Sequence, residues 1–174
     1  MAGTGEGAKL LAGLGQLNGL YAHYGKKEEL LMPFLYDYGV TGPSQVMWGV
    51  DDEIKKEMGT IRKALAEDPD SYLIYRGRLQ NLLTRIREMI YKEEKILFPL
   101  ALRYFTEEQW YQVYRDASEM GYAFLAGKPP VWEAGEVWIS AEQAQKQQAD
   151  MLAGKVQKPT GELCVKELQH IFSL

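Results

Sequence analysis

The sequence predicts an all-α fold, an antiparallel up-down helical bundle, and two observations support this. Apolar residues recur at spacings of three and four over long stretches of the chain, which is the repeat of an amphipathic helix. Prolines and glycines fall mostly at the ends of these stretches, where they separate one helix from the next. We therefore expect four helices, at about 8–36, 45–66, 71–103 and 107–125, and no sheet of any size.

The first two predicted helices are joined by a Gly-Val-Thr-Gly-Pro loop at 39–43. Four glycines lie within the first helix, and each costs up to about 1 kcal/mol relative to alanine, so packing must compensate. Ser44 is the expected N-cap of the second helix. The apolar stripe of the first helix consists of Leu10, Leu14, Leu17, Tyr21, Tyr24, Leu31 and Leu35. The inward stripe of the second helix is apolar except for Asp51, and its positions are Met47, Asp51, Ile54, Met58, Ile61 and Leu65.

The third predicted helix follows a break at Asp68-Pro69, and Thr106 opens the fourth as its N-cap. The expected inward residues are Leu79, Leu82, Leu83, Ile86, Met89, Ile90, Leu97 and Leu100 on the third helix, and Trp110, Val113, Tyr114 and Ala117 on the fourth. Residues 8–125 thus form the predicted bundle.

The chain changes character after the bundle. Residues 126–161 are polar, glutamine-rich and weakly periodic, which predicts an extended arm or linker. A short amphipathic helix is expected over 162–174. Because such a helix has little of its own to pack on, we expect it to lead into a downstream domain.

Composition excludes several classes of function. The net charge is −4, so there is no surplus of basic residues for a nucleic-acid partner. The single cysteine, Cys164, rules out an internal disulfide. The N-terminus lacks the pattern of a signal peptide, and the longest apolar stretch is too short for a membrane span, so a cytoplasmic location is expected. No catalytic triad, phosphate loop or dinucleotide fingerprint occurs, and no catalytic residue is predicted.

The unusual feature is a set of ionisable residues on or beside apolar stripes. Carboxylates are rarely buried unless they are paired or bound to a metal, because removing the charge from water is costly. Acids and histidines that face the interior from several helices can build metal sites in bundles. The residues expected to converge in one pocket are His23, Glu28, Asp51, Glu93 and Glu94.

An internal repeat supports this convergence. The run Lys27-Glu-Glu-Leu-Leu-Met-Pro33 resembles Lys92-Glu-Glu-Lys-Ile-Leu-Phe-Pro99. In a bundle with pseudo-twofold symmetry, two such runs are expected to face each other, with their acidic pairs meeting inside. The alternative is a metal-free network, because Lys26, Lys27 and Lys92 flank the acids and a Lys–Glu–Asp network would satisfy the same groups.

The runs His23-Tyr-Gly-Lys-Lys-Glu-Glu-Leu-Leu-Met-Pro-Phe-Leu, Gly42-Pro-Ser-Gln-Val-Met-Trp and Met89-Ile-Tyr-Lys-Glu-Glu-Lys-Ile-Leu-Phe-Pro resemble hemerythrin-like (HHE) domains. More narrowly, they are similar to the prokaryotic family called domain of unknown function 438. In that family the bundle is followed by a PAS-type sensory domain, and the tail from Lys158 looks like the lead-in to it. The resemblance covers about residues 20–172.

The resemblance implies a metal pocket that has lost most of its ligands. His23, Asp51 and Glu94 match family ligand positions, with Glu28 and Glu93 as substitutes, whereas Lys27 replaces an expected glutamate. Because only two histidines occur in the chain, no di-iron site is expected. The prediction is no resident cofactor, with a single iron, manganese or zinc ion as the alternative.

Three functions remain open from the sequence. The first is a sensory or regulatory module, not an enzyme, that acts on a downstream PAS-like domain. The second is a carboxylate-rich iron or manganese protein that binds oxygen or nitric oxide, and the third is a structural bundle for self-association. The chain begins at what resembles the family's second helix, so an uncovered apolar groove is expected to pair in a homodimer through the first helix. The alternative is that the fourth helix fills the groove within the monomer.

Overall fold

The computed structural model describes residues 3–125, 128, 129 and 131–151, and nearly all of them are helical. The described residues contain no β-strand, so the predicted all-α bundle is confirmed. The α-helices are α1 Gly3–Gln16, α2 Gly19–Lys26, α3 Met32–Asp37, α4 Gly42–Glu67, α5 Tyr72–Lys92, α6 Phe98–Tyr104, α7 Glu107–Glu119 and α8 Glu133–Met151.

The first helical segment runs over 3–37 and is interrupted at two places. Leu17 and Asn18 separate α1 from α2, and short backbone bonds, such as Leu20 N–H to Leu17 O at 2.9 Å, carry the chain across this break. A π turn, Lys27–Leu31, joins α2 to α3. The predicted helix at 8–36 is therefore present, but it begins earlier and is not a single α-helix.

Antiparallel packing joins this segment to α4 and α4 to α5. Lys55 contacts Glu28 at 3.1 Å and Arg62 contacts Asn18 at 2.7 Å, so residue numbers fall along the first segment as they rise along α4. The six predicted core positions of α4 are all buried: Met47, Asp51, Ile54, Met58, Ile61 and Leu65. Because α4 begins at Gly42, with Pro43 in its first turn, Ser44 lies buried inside the helix, and the predicted Ser44 N-cap was wrong.

The third helical segment follows a 3₁₀ turn at Pro69–Ser71 and consists of α5, a second π turn at Glu93–Leu97, and α6. Arg78 pairs with Glu57 at 2.6 Å, and Arg85 pairs with Glu53. These pairs again run antiparallel, so the segments 3–37, α4 and 72–104 form an up-down-up arrangement around a shared core.

Helix α7 begins with the predicted cap and ends earlier than predicted. Thr106 and Gln109 form a capping box, in which Thr106 accepts from the Gln109 backbone N–H and the Gln109 side chain accepts from the Thr106 backbone N–H. The helix stops at Glu119, not near 125, because Gly121 adopts a left-handed backbone (φ +78°) that ends the helix.

The predicted extended arm is replaced by a helix over most of its length. Within 126–161, residues Glu133–Met151 form α8, which packs against α7. Trp132 and Trp138 are buried and stack on Tyr111, with ring centroids 4.9 and 5.3 Å apart. The prediction of an extended arm was wrong here, because the helix is stabilised by aromatic contacts between residues that are distant in the sequence and leave no local apolar repeat. Residues 152–174, with Cys164 and the expected helix at 162–174, lie outside the described residues.

None of the helices in the described ranges combines the length and the apolar character needed to cross a membrane.

Candidate functional site

Two π turns place the ionisable residues of the bundle, and a proline accounts for each. Pro33 and Pro99 follow the π turns closely, and proline lacks the N–H that would bond to the carbonyl four residues earlier. The helix widens instead: Met32 N–H bonds to Lys27 O, and Phe98 N–H bonds to Glu93 O, each across five residues. Such widened turns occur frequently at functional sites.

The π turns set which residues face each other. Lys27 and Glu93 are the first residues of their π turns, and each lies six positions before a proline. The two side chains form a buried ion pair. The prediction that two acidic pairs would meet was therefore wrong by one residue. The two runs are structurally equivalent when their prolines are aligned, which pairs Lys27 with Glu93, and not when their Lys-Glu-Glu motifs are aligned.

Lys27 joins carboxylates from two other helical segments. Its Nζ donates a hydrogen bond to Asp51 Oδ1 at 2.9 Å and another to Glu93 Oε1. Nζ also lies 2.7 Å from Asp51 Oδ2, but at an angle that does not form a hydrogen bond. All three side chains are fully buried. The Lys–Glu–Asp network, which the sequence left open as an alternative, is therefore present.

His23 extends the network on the far side of Glu93. Its Nε2 lies 2.8 Å from Glu93 Oε2, so each oxygen of this carboxylate has a nitrogen partner. We call His23, Lys27, Asp51 and Glu93 the buried charged cluster. It holds two acids, one ammonium and one imidazole, and it draws them from the segment 3–37, from α4 and from the second π turn.

Burial and charge act differently on the two acids. Burial raises the pKa of Asp51 to about 7, although the charge and hydrogen bond of Lys27 oppose the rise. Burial also acts to raise the pKa of Glu93, but hydrogen bonds and charges from His23 and Lys27 outweigh it and hold that pKa below its ordinary value. Glu93 is thus the anion of the cluster, whereas Asp51 changes protonation near neutral pH.

Tyr24 closes one side of the cluster. Its ring centroid lies 4.6 Å from Lys27 Nζ, so the ammonium is placed over an aromatic face. The Tyr24 hydroxyl is buried and makes no hydrogen bond to any group in the described part of the chain. Burial and the nearby charges of Asp51 and Glu93 raise the pKa of Tyr24, which keeps the phenol neutral.

The structure brings together three of the five predicted site residues: His23, Asp51 and Glu93. Glu28 lies at the edge of the bundle and pairs with Lys55 at 3.1 Å, although its charge still acts to raise the pKa of Asp51. Glu94 is partly exposed. Since Lys27 and Glu93 begin the π turns, the residues that follow them, Glu28 and Glu94, are turned towards the surface.

A second buried lysine was not predicted as part of a site. Lys26 is fully buried, and its Nζ lies 4.1 Å from the ring centroid of Tyr122, in the segment that follows α7. Burial lowers the pKa of Lys26 to about 8. Two consecutive lysines therefore point to different partners, Lys27 to the charged cluster and Lys26 to Tyr122. In the sequence, only the pair of adjacent lysines could have indicated that Lys26 is buried.

The cluster does not fit a metal ion while Lys27 is in place. Its ammonium lies against both oxygens of Asp51 and against Glu93 Oε1, and these are the oxygens that a metal would require. Within the described residues, no group of three His, Cys, Asp or Glu side chains is arranged to hold a metal.

Comparison with models of known families gives a match over the bundle. Residues 7–101 match the family model described as hemerythrin HHE cation binding domain. These 95 residues are more than half of the 174-residue chain, and they include every member of the buried charged cluster. Comparison with curated proteins and with solved structures gave no match.

Proposed function

Because the chain belongs to the hemerythrin HHE cation-binding domain family, we propose that it is a regulatory module. In this proposal the state of the buried charged cluster controls how firmly α8 docks on the bundle. Helix α8 then passes the change to a downstream domain, of PAS type in the subfamily that the sequence resembles. The observation that carries the proposal is a pair of adjacent lysines with different partners. Lys26 contacts Tyr122, in the segment after α7, whereas Lys27 belongs to the buried charged cluster.

Residues 120–124, which follow α7, pack along α2, the helix that carries His23. A methyl group added at Gly19 would meet the ring of Phe124 at 2.9 Å and the Ala123 methyl group at 3.1 Å, so a larger residue there would force this segment to shift. Lys26 contacts Tyr122 about two helical turns further along α2. A shift of α2 at His23, or of the π turn at Lys27, would therefore move the surface on which residues 120–124 rest.

Polar and aromatic contacts hold helix α8 on α7. The Tyr114 hydroxyl donates to Glu136 at 2.6 Å and accepts from the Trp132 backbone N–H at 3.1 Å. Arg115 pairs with Glu142 at 2.9 Å. A helix that packs on the outside of a bundle opens more easily than the core, and such elements are suited to switching.

A double-mutant cycle tests the coupling. Asp51→Asn perturbs the cluster, and Trp138→Ala weakens the docking of α8. We expect the free energies of unfolding of the two single variants to be non-additive by at least about 0.5 kcal/mol, because coupled sites show such interaction energies. The matched control is Glu57→Gln with Trp138→Ala, since Glu57 belongs to an exposed pair. Additivity in both cycles would refute the proposed coupling.

Metal binding is the second candidate function, and membership of a cation-binding family favours it. His23, Asp51 and Glu93 would be the ligands, and a bound ion would supply Lewis-acid or redox chemistry. Lys27 would first have to leave the cluster. Elemental analysis of protein purified without chelators tests this candidate, and a stoichiometric metal content would support it.

A further inference from the structure

We propose that the Lys27 ammonium is the resident cation of the buried charged cluster, so that the domain keeps its fold and its charge balance without a metal ion. The inference concerns the same cluster as the proposed function, but it does not rest on the coupling to α8. Lys27 then occupies the position of the external cation that the description of the family, a cation binding domain, implies.

The surroundings of Lys27 Nζ are those of a bound cation. Three carboxylate oxygens lie around it, two from Asp51 and one from Glu93, and the Tyr24 ring covers a further side. An ammonium group has three hydrogens, and two of them are used in hydrogen bonds to Asp51 Oδ1 and Glu93 Oε1. The side chain is fully excluded from water, so these protein groups replace its hydration shell.

Charge balance also favours an internal cation. Asp51 and Glu93 carry up to two negative charges, and the Lys27 ammonium between them supplies a positive charge from the chain itself. A divalent ion in the cluster would place a second cation against the same carboxylate oxygens, in a buried region where repulsion between like charges is strong. Binding it would therefore require the cluster to expel Lys27.

The internal symmetry explains why a lysine can do this here. Lys27 and Glu93 begin equivalent π turns and lie in contact. Two acids at these positions would repel each other and, together with Asp51, would need an external cation. A lysine in one of the two positions supplies that cation from the chain itself.

Cobalt(II) titration provides the test, because its visible spectrum reports coordination by protein side chains. The variants are the wild type, Lys27→Ala, which removes the ammonium, and Lys55→Ala, which removes a lysine at the edge of the bundle. We expect the wild type and Lys55→Ala to take up no stoichiometric Co²⁺. Lys27→Ala should bind one Co²⁺ per chain at least 100-fold more tightly than the wild type (~2.7 kcal/mol), and its melting temperature should rise with Co²⁺.

Two results would overturn the inference. One is a wild-type protein that binds one Co²⁺ per chain and loses it in Asp51→Asn. The other is a folded Lys27→Ala variant that keeps wild-type stability and takes up no Co²⁺, since the acids would then need no cation.

A second variant covers the case in which Lys27→Ala does not fold. The triple variant Lys27→Met, Asp51→Leu, Glu93→Leu replaces the ion network by apolar groups, and we expect it to fold with a melting temperature that is unchanged by chelator. The wild type should likewise melt at the same temperature with and without chelator. A wild-type melting temperature that falls on chelation and recovers with metal contradicts the inference, whereas additive double-mutant cycles would contradict only the proposed regulatory coupling.

Discussion

Replacing Lys27 by methionine should destabilise the protein far more than the same change at Lys55. Methionine keeps the length of the side chain but removes the ammonium, which leaves the carboxylates of Asp51 and Glu93 buried without their shared cation. Removing one partner of a buried ion pair costs about 3–5 kcal/mol. Lys55 pairs with Glu28 at the partly exposed edge of the bundle, where such a pair contributes at most about 1 kcal/mol.

The assay is thermal unfolding followed by circular dichroism at pH 7, with both variants measured beside the wild type. For a domain of this size, about 1 kcal/mol corresponds to roughly 2–4 °C in melting temperature, so Lys27→Met should melt roughly 10 °C lower. Lowering the pH should reduce the difference, because protonated acids no longer need the ammonium. Equal losses for Lys27→Met and Lys55→Met, or a loss that does not depend on pH, would refute the reasoning.

Three further predictions concern the titration of Asp51, two glycines of α1 and the oligomeric state. Burial raises the pKa of Asp51 to about 7, above its value in the unfolded chain. Because the folded protein then binds the proton more tightly, this group makes the free energy of unfolding fall as pH rises from about 4 to 7, by at most about 1.4 kcal/mol per pH unit. Asp51→Asn should remove this slope, and unfolding measured across the same pH range tests it. Gly7→Ala should loosen α1, because the new methyl carbon would lie 2.0 Å from Pro69 O, whereas Gly13→Ala meets open space and should stabilise by up to about 1 kcal/mol; thermal melting compares the two. The homodimer through the first helical segment stays a prediction, and sedimentation at micromolar concentration should show a dimer, with a clean monomer contradicting it.

The helices could be predicted where the apolar repeat was local and complete. All six stripe positions of α4 are buried, as are the four predicted inward residues of α7. These segments bury one face against neighbours, and the 3.6-residue repeat records that face directly in the sequence. The start of α7 was likewise readable, because a capping box involves only residues three apart.

Helix α8 could not be predicted in the same way. Its sequence is rich in glutamine and has a weak apolar repeat, so its stability comes from a few anchors and not from a continuous stripe. Trp132 and Trp138 find their partner, Tyr111, on α7, more than 20 residues earlier in the chain. Such distant aromatic contacts leave no periodic trace, so the segment resembled an arm.

The charged cluster could be predicted only in part. His23, Asp51 and Glu93 were predicted, whereas the choice between Lys27 and Glu28 depended on a difference of one residue in the helix. With an ideal α-helix through Lys27–Leu31, the faces of Lys27 and Glu28 differ by only about 100°, so sequence alone could not decide which one turns inward. The π turn decides it, because widening the helix before Pro33 shifts every residue that precedes the proline relative to those that follow. The same shift before Pro99 turns Glu93 inward. The two prolines therefore set the composition of the cluster, an acid facing a lysine, and this pairing allows the chain to supply its own cation.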